Sequence, residues 1–216
     1  MTGSTAKRPR RRLTAVELTE SRREQIADAA IKVFAEHGYR DASIAQIASK
    51  MGAGHGTIYR YFDNKRAIAE YVLNRSLMKL TSVVTDEPPE ASNDADEYRA
   101  QVERIGRGLY DLMIAEPELG SVVFFVAGQV DSEMRDQVQG AFDAVAQVTE
   151  TYLRNGIDKG FLDPSLDTFR TAAAIVGMIF EGARRVHFAE DPRSEGESWS
   201  ATVTHLMFKG ITVPSV

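Results

Sequence analysis

The sequence predicts an all-α protein in two parts, a small three-helix N-terminal head and a larger helical body, with about nine helices in all. Three observations carry this. Apolar residues recur at i, i+3, i+4 and i+7 in segment after segment, the spacing of one helix face, and no stretch needs the alternation of a strand. Two short helical segments meet at a glycine-rich turn between residues 43 and 66. The charge is also segregated: residues 1–66 hold 13 Lys+Arg against 7 Asp+Glu, whereas residues 67–216 hold 13 against 24. The net charge of −5 thus hides a basic first third on an acidic remainder, and only that third suits a polyanion.

Residues 1–17 are expected to be a flexible arm. Lys7, Arg8, Arg10, Arg11 and Arg12 crowd five cations around Pro9. Such a run does not fold alone, but it suits a phosphate backbone or a minor groove, and Arg10, Arg11 and Arg12 are the candidate contacts. The first helix is expected to begin within 18–21 and to run to His37, with Ile26, Ala30, Val33 and Phe34 as its inner stripe. Gly38 ends it, where a left-handed residue costs least. Ser43 is placed to cap a second helix that buries Ile44, Ile47, Ala48 and Met51. Gly52-Ala53-Gly54 breaks this helix, and a third begins within Gly56 to Phe62, turning Ile58 and Phe62 inward. His55, Thr57, Tyr59, Arg60 and Tyr61 then lie around the exposed side as donors and flat rings. Two helices about a tight glycine turn form a helix-turn-helix, whose second helix enters the major groove of DNA. Arginine is the usual reader of guanine, so Arg60, with His55, is the candidate for base edges. The head so defined spans residues 18–64.

The body, residues 65–216, opens with a helix capped by Asn64 or Asp63 that carries Ile68, Tyr71, Val72, Leu73, Leu77 and Leu80 and joins the two parts. Residues 85–93, with paired prolines, form a loop. A helix over 94–115 carries Tyr98, Val102, Ile105, Leu109, Leu112 and Met113. It also holds Gly106 and Gly108, each costing about 1 kcal/mol against alanine, which implies close packing or space left for another molecule. Pro117 opens the next helix, with residues 122–126 buried. A long helix over 132–159 stops at Gly160, another starts at Asp163-Pro164-Ser165 and runs to 188, and the last spans 194–210.

The run Gly56-Thr57-Ile58-Tyr59-Arg60-Tyr61-Phe62, then Asn64-Lys65, together with Ser43-Ile44-x-x-Ile47-Ala48-x-x-x-Gly52, resembles the signature of the tetracycline-repressor (TetR) family. The resemblance covers residues 22–72; beyond residue 80 it is architectural. Gly54 stands where the family usually has a serine cap, and Ala45 where a polar DNA contact is common. It implies a homodimeric DNA-binding regulator, most often a repressor released from a palindromic operator by a small ligand. Thr57, Tyr59, Tyr61 and Lys65 are thereby assigned mainly to phosphate, and Ser43 and Gly56 complete the DNA-binding set. In the family the last two helices of each subunit form a four-helix dimer interface. The stripe Ala172, Ala173, Val176, Gly177 and Phe180 suits it, and a two-fold dimer sets two recognition helices one DNA turn apart. For the effector, the expected lining is Tyr110, Met113, Phe124, Phe125, Phe142, Met178 and Phe180, which selects a largely hydrophobic molecule. Arg104 or Arg107 stands ready for a carboxylate if that molecule is acidic.

Other classes find little support. The absence of cysteine excludes disulfides, thiolate metal sites and cysteine nucleophiles. His37, His55, His187 and His205 are too scattered to suggest a metal, and no cofactor and no catalytic constellation is expected, so the chain is not an enzyme. Gly52-x-Gly54-x-Gly56 follows a helix rather than a strand, which fails the condition for a nucleotide loop. No apolar run suits a membrane span, and the basic N-terminus lacks the apolar core of a secretory signal, so the cytoplasm is the expected compartment. The rival reading is a DNA-bound structural or protein-interaction factor with the same head and no small ligand. A cavity inside the body favours the ligand; a solid body with an exposed apolar patch favours the rival.

Overall fold

The computed structural model describes residues 14–211, so Arg10, Arg11 and Arg12 lie outside the described residues. Helix α1 spans Ala15–Asp41 and starts earlier than its apolar stripe suggests. The reason is local: the Thr14 hydroxyl accepts from the Glu17 N–H (3.2 Å), and the Glu17 carboxylate accepts from the Thr14 N–H (2.7 Å), a reciprocal capping box. Gly38 does not end α1 but kinks it, at φ 72° and ψ 167°. Helix α2 is Ile44–Lys50, α3 is His55–Tyr59 and α4 is Lys65–Thr85. After a 3-10 turn at Pro89–Ala91 comes α5, Ala95–Ala115. Helix α6 (Pro117–Ser121), a π turn (Val122–Val126) and α7 (Ala127–Val130) form one continuous run. Helix α8 is Ser132–Asp158, α9 is Thr168–Phe188 and α10 is Pro192–Ile211. With the α6–π–α7 run taken as one rod, nine rods are present, and no strand occurs among the described residues.

Side-chain caps set most starts. Asn64, Asp94, Asp131 and Asp167 each accept the N–H three residues on, at 2.8–3.0 Å. Helix α9 therefore begins later than expected from Asp163-Pro164-Ser165. There the Asp163 carboxylate accepts from both the N–H (2.8 Å) and the hydroxyl (2.7 Å) of Ser165, closing a turn instead.

Two cores form. The first joins α1 to α4 with the α6–π–α7 run and the start of α8, through Ile26, Phe34, Ile47, Ile58, Phe62, Leu73, Leu119 and Met134. The second joins the end of α4 to α5, α8, α9 and α10, through Val84, Tyr98, Ile105, Leu153, Ile175 and Met207. Helix α4 belongs to both. Gly106 and Gly108 mark close approaches rather than open space: an added Cβ would meet the Ser200 hydroxyl at 3.3 Å and Val83 Cγ1 at 2.9 Å. No helix among the described residues is long and apolar enough to cross a membrane.

The kink at Gly38 yields a stability test. Its φ and ψ fall in a region occupied almost only by glycine, and an added Cβ would sit 3.0 Å from Gln129 Oε1. Gly38→Ala is expected to cost about 1–3 kcal/mol. Gly140→Ala, inside α8 with nothing near its Cβ position, should instead gain about 0.5–1 kcal/mol. Thermal melts check both, at about 2–4 °C per kcal/mol for a chain of this size.

Candidate nucleic-acid interface and effector cavity

The second and third helices are set by their caps and turn. Ser43 Oγ accepts from the Gln46 N–H (3.2 Å) while Gln46 Oε1 accepts from the Ser43 N–H (2.7 Å), so α2 starts on a capping box. Gly52 takes φ 64° in the turn, which a side chain would disfavour. Gly54 then caps α3 without any side-chain bond. Ile58 and Phe62 anchor α3 to the core, which leaves His55, Gly56, Tyr59 and Arg60 exposed and Thr57 and Tyr61 half-buried. The Arg60 guanidinium lies 6.0 Å from the Tyr61 ring. A Cβ at Gly56 would meet nothing within 4 Å, so its backbone stands open to whatever approaches.

Two members of the expected DNA-binding set have other partners. The Ser43 hydroxyl is engaged in its cap and also donates to Gln46 Oε1 at 2.8 Å. Lys65 points back into the protein: its ammonium donates to the carbonyls of Tyr39 (2.7 Å), Arg40 (3.2 Å) and Ala42 (2.7 Å) and lies 4.4 Å from the Tyr39 ring. All three of its N–H donors are used. In place of the phosphate contact expected for it, this side chain ties the end of α1 to the start of α4. The neighbouring Arg66 bonds Asp131 (2.7 Å), Glu133 (2.5 Å) and Glu70 (3.1 Å), tying α4 to the start of α8. Along α4, Arg75 bonds Glu24 (2.6 Å) and Asp28 (2.8 Å), and the Tyr71 hydroxyl reaches Glu24 at 2.6 Å. Burial works to raise the Glu24 carboxyl, but the bonds from Tyr71 and Arg75 outweigh it and hold the group below the usual carboxylate range.

Inside the body lies a cavity of 120 Å³ walled by α4, α5, the π turn, α8, α9 and α10. Met113, Phe124, Phe142 and Phe180 line it, as their bulk and apolarity suggest. At one end Phe180 meets Phe142 edge-on at 4.3 Å and Phe124 at 4.8 Å. The other candidates sit elsewhere. Tyr110 and Arg107 line a separate groove between α5 and α10, and Arg104 is exposed and donates two hydrogen bonds to the Glu87 carboxylate (3.0 and 2.9 Å). Phe125 faces outward against Phe188, and Met178 packs beside the wall with its carbonyl accepting from Trp199 Nε1 at 2.9 Å. Helix phase explains the errors, since Val102, Ile105, Leu109 and Met113 are the inward row of α5 and residues between them cannot share it. The same phase splits the small-residue stripe of α9. Ala172 is 0% exposed and Val176 lines the cavity, so both face the protomer's own interior, while Ala173 and Gly177 face out. Size alone picked the wrong neighbours. The walls that sequence reasoning missed, such as Leu77, Leu80 and Val84 of α4 and Ile175 and Ile179 of α9, were marked only by their spacing.

Residues 26–72, which hold α2, α3 and their packing faces, match the family described as bacterial regulatory proteins, tetR family. The head of the chain is a DNA-binding domain of the tetR type. It is 24% identical over 187 residues to the fatty acid metabolism regulator protein of Bacillus subtilis, covering 87% of this chain and 94% of that one. The TetR-family fold extends over the body. The crystal structure of FadR from Bacillus subtilis in complex with stearoyl-CoA superposes with a TM-score of 0.69 at 22% identity, over 87% of this chain and 98% of that one. A TetR regulator from Chloroflexus aurantiacus gives 0.72 at 18% identity, over 91% and 99%.

In this chain the head and the cavity share a wall. Ile68, Ala69, Val72 and Leu73 of α4 lie in the head core, and Leu77, Leu80, Thr81 and Val84 of the same helix line the cavity. The exposed residues of α3 generate a direct test. Arg60→Ala should relax preference at one base pair of each half-site by about 1–3 kcal/mol. Tyr59→Phe, which removes a hydroxyl expected to meet phosphate, should weaken all sequences alike. Binding measured across a library of site variants separates the two patterns.

Proposed function

We propose that two copies of this chain repress transcription from a palindromic operator, and that a small, largely hydrophobic effector entering the body cavity releases them. The observation that carries the reading is the cavity with no Asp, Glu, Lys, Arg or His side chain in its wall, built in part by the helix that also holds the head. A cavity inside the body is what the ligand reading requires and the structural rival does not. The relative bound to stearoyl-CoA supports an acyl chain as the first effector to try. The basic residues ahead of α1 act as an arm, α1 to α3 read DNA and residues 65–216 bind effector and partner, with α1 starting at Ala15 rather than at the expected boundary and α4 as the shared element.

The outward residues of α9, Phe169, Ala173 and Gly177, are the proposed dimer contact, together with the exposed Leu206 of α10. Phe169 is 58% exposed and Leu206 55%, large apolar surface that a second copy would cover. Each partner then presents its α3 to a successive major groove.

Release is tested by operator binding against a panel of acyl-CoA chain lengths. At least one should lower DNA affinity about 5- to 150-fold, the range of a 1–3 kcal/mol coupling. Phe142→Ala should shift the effective chain length or concentration while leaving effector-free operator affinity nearly intact. Constant operator binding across the panel and across other hydrophobic metabolites would return the protein to the structural rival.

A further inference from the structure

The cavity wall is not uniform in chemistry. No Asp, Glu, Lys, Arg or His side chain lines it, so an ionised group inside would lose its hydration and gain no counter-charge. Four hydroxyls do line it, and three are already spent on backbone. Thr81 donates to the Leu77 carbonyl (2.9 Å), Thr149 to the Val145 carbonyl (2.9 Å), and Tyr152 reaches the carbonyls of Val84 (2.9 Å) and Glu87. Tyr98 differs. It is 2% exposed and lines the cavity, and its hydroxyl, unlike the other three, makes no hydrogen bond to a described residue. Its ring is held by Phe161 and Phe208, with centroids at 6.0 and 5.6 Å, so it is not free to swing elsewhere. Burial raises its pKa above the ordinary tyrosine value, which keeps it a neutral donor at physiological pH.

The Tyr98 hydroxyl opens onto an apolar cavity, where only water or a bound molecule can bond it, whereas phenylalanine would fill the same place without a polar group. The cavity also has two poles. Tyr98 belongs to the core formed with Val84, Ile175 and Met207, whereas Phe124, Phe142 and Phe180 pack on the core shared with the head. We propose that Tyr98 is the hydrogen-bonding anchor of the effector site, and that the effector is a mainly hydrocarbon molecule with one uncharged oxygen, a hydroxyl, ketone or ester, set against this phenol. Its apolar part runs toward the three phenylalanines. A charged portion, if the effector has one, stays outside the cavity. The inference rests on the effector reading above and adds a residue and a functional group to it.

The test uses the full chain, Nile red as the cavity probe, and 1-dodecanol and 1-chlorododecane as displacing ligands of nearly equal shape. The ratio of alcohol to chloride affinity should fall about 3- to 10-fold in Tyr98→Phe, the worth of one neutral buried hydrogen bond. Tyr98→Phe should melt at or above the wild-type temperature, because the hydroxyl bonds nothing in the protein. Tyr152→Phe is the control: it should melt lower, having lost its carbonyls, and keep the wild-type ratio. An unchanged ratio in Tyr98→Phe, or a lower melting temperature for it, overturns the anchor while leaving the effector reading standing. Failure of Nile red and both ligands to bind the wild type overturns the anchor and the effector reading together.

Discussion

Helix α4 has to satisfy two cores with one rigid rod. Its first half is packed among α1, α2 and α3 by Ile68, Ala69, Val72 and Leu73, and its second half closes the cavity with Leu77, Leu80 and Val84. A helix rises 1.5 Å per residue and bends little, so a displacement of the cavity wall is passed to the head rather than absorbed. The N-terminal end of α4 is held where it matters. Lys65 fastens it to the carbonyls at the end of α1, and Arg66 fastens it to Asp131 and Glu133 at the start of α8. These bonds concern orientation more than stability, because exposed ion pairs contribute little to folding.

A second route reaches the same place. The π turn at Val122–Val126 lies between α6 and α7, lines the cavity through Val123 and Phe124, and packs Val122 and Val126 into the head-side core. Three residues after it, Gln129 accepts from the Tyr39 N–H at 2.9 Å, beside the kink at Gly38. Tyr39 is thus gripped on both sides, its N–H by Gln129 and its carbonyl by Lys65. Single-turn π segments recur at functional positions because they offset the helix register by one residue. Here the offset sits between the aromatic end of the cavity and the base of the head.

The head was legible because its determinants are local. Ser43, Gly52 and Asn64 act on neighbours within three residues, and the spacing of Ile47, Ile58 and Phe62 states which faces pack. The partners of Lys65 were not legible, since they lie 23–26 residues away and are backbone carbonyls exposed only by the kink of α1. Nor was the π turn, where five consecutive apolar residues, Val122 to Val126, carry no periodicity to read. Choosing pocket residues by bulk placed Tyr110, Phe125 and Met178 in the cavity, although helix phase turns each of them away. Conversely the spacing of Tyr98 is that of any inward residue of α5, and only a hydroxyl open to the cavity and bonded to no described residue sets it apart.

The coupling of cavity to head is tested most directly by measuring it from the other side. Let the effector be whichever acyl-CoA binds the free protein most tightly, and let its affinity be measured by calorimetry for the free protein and for the protein saturated with operator DNA. If one helix links the two sites, operator DNA must weaken effector binding by the same factor by which the effector weakens DNA binding, about 5- to 150-fold. Equal effector affinity in the two states would contradict the linkage, and with it the role of α4.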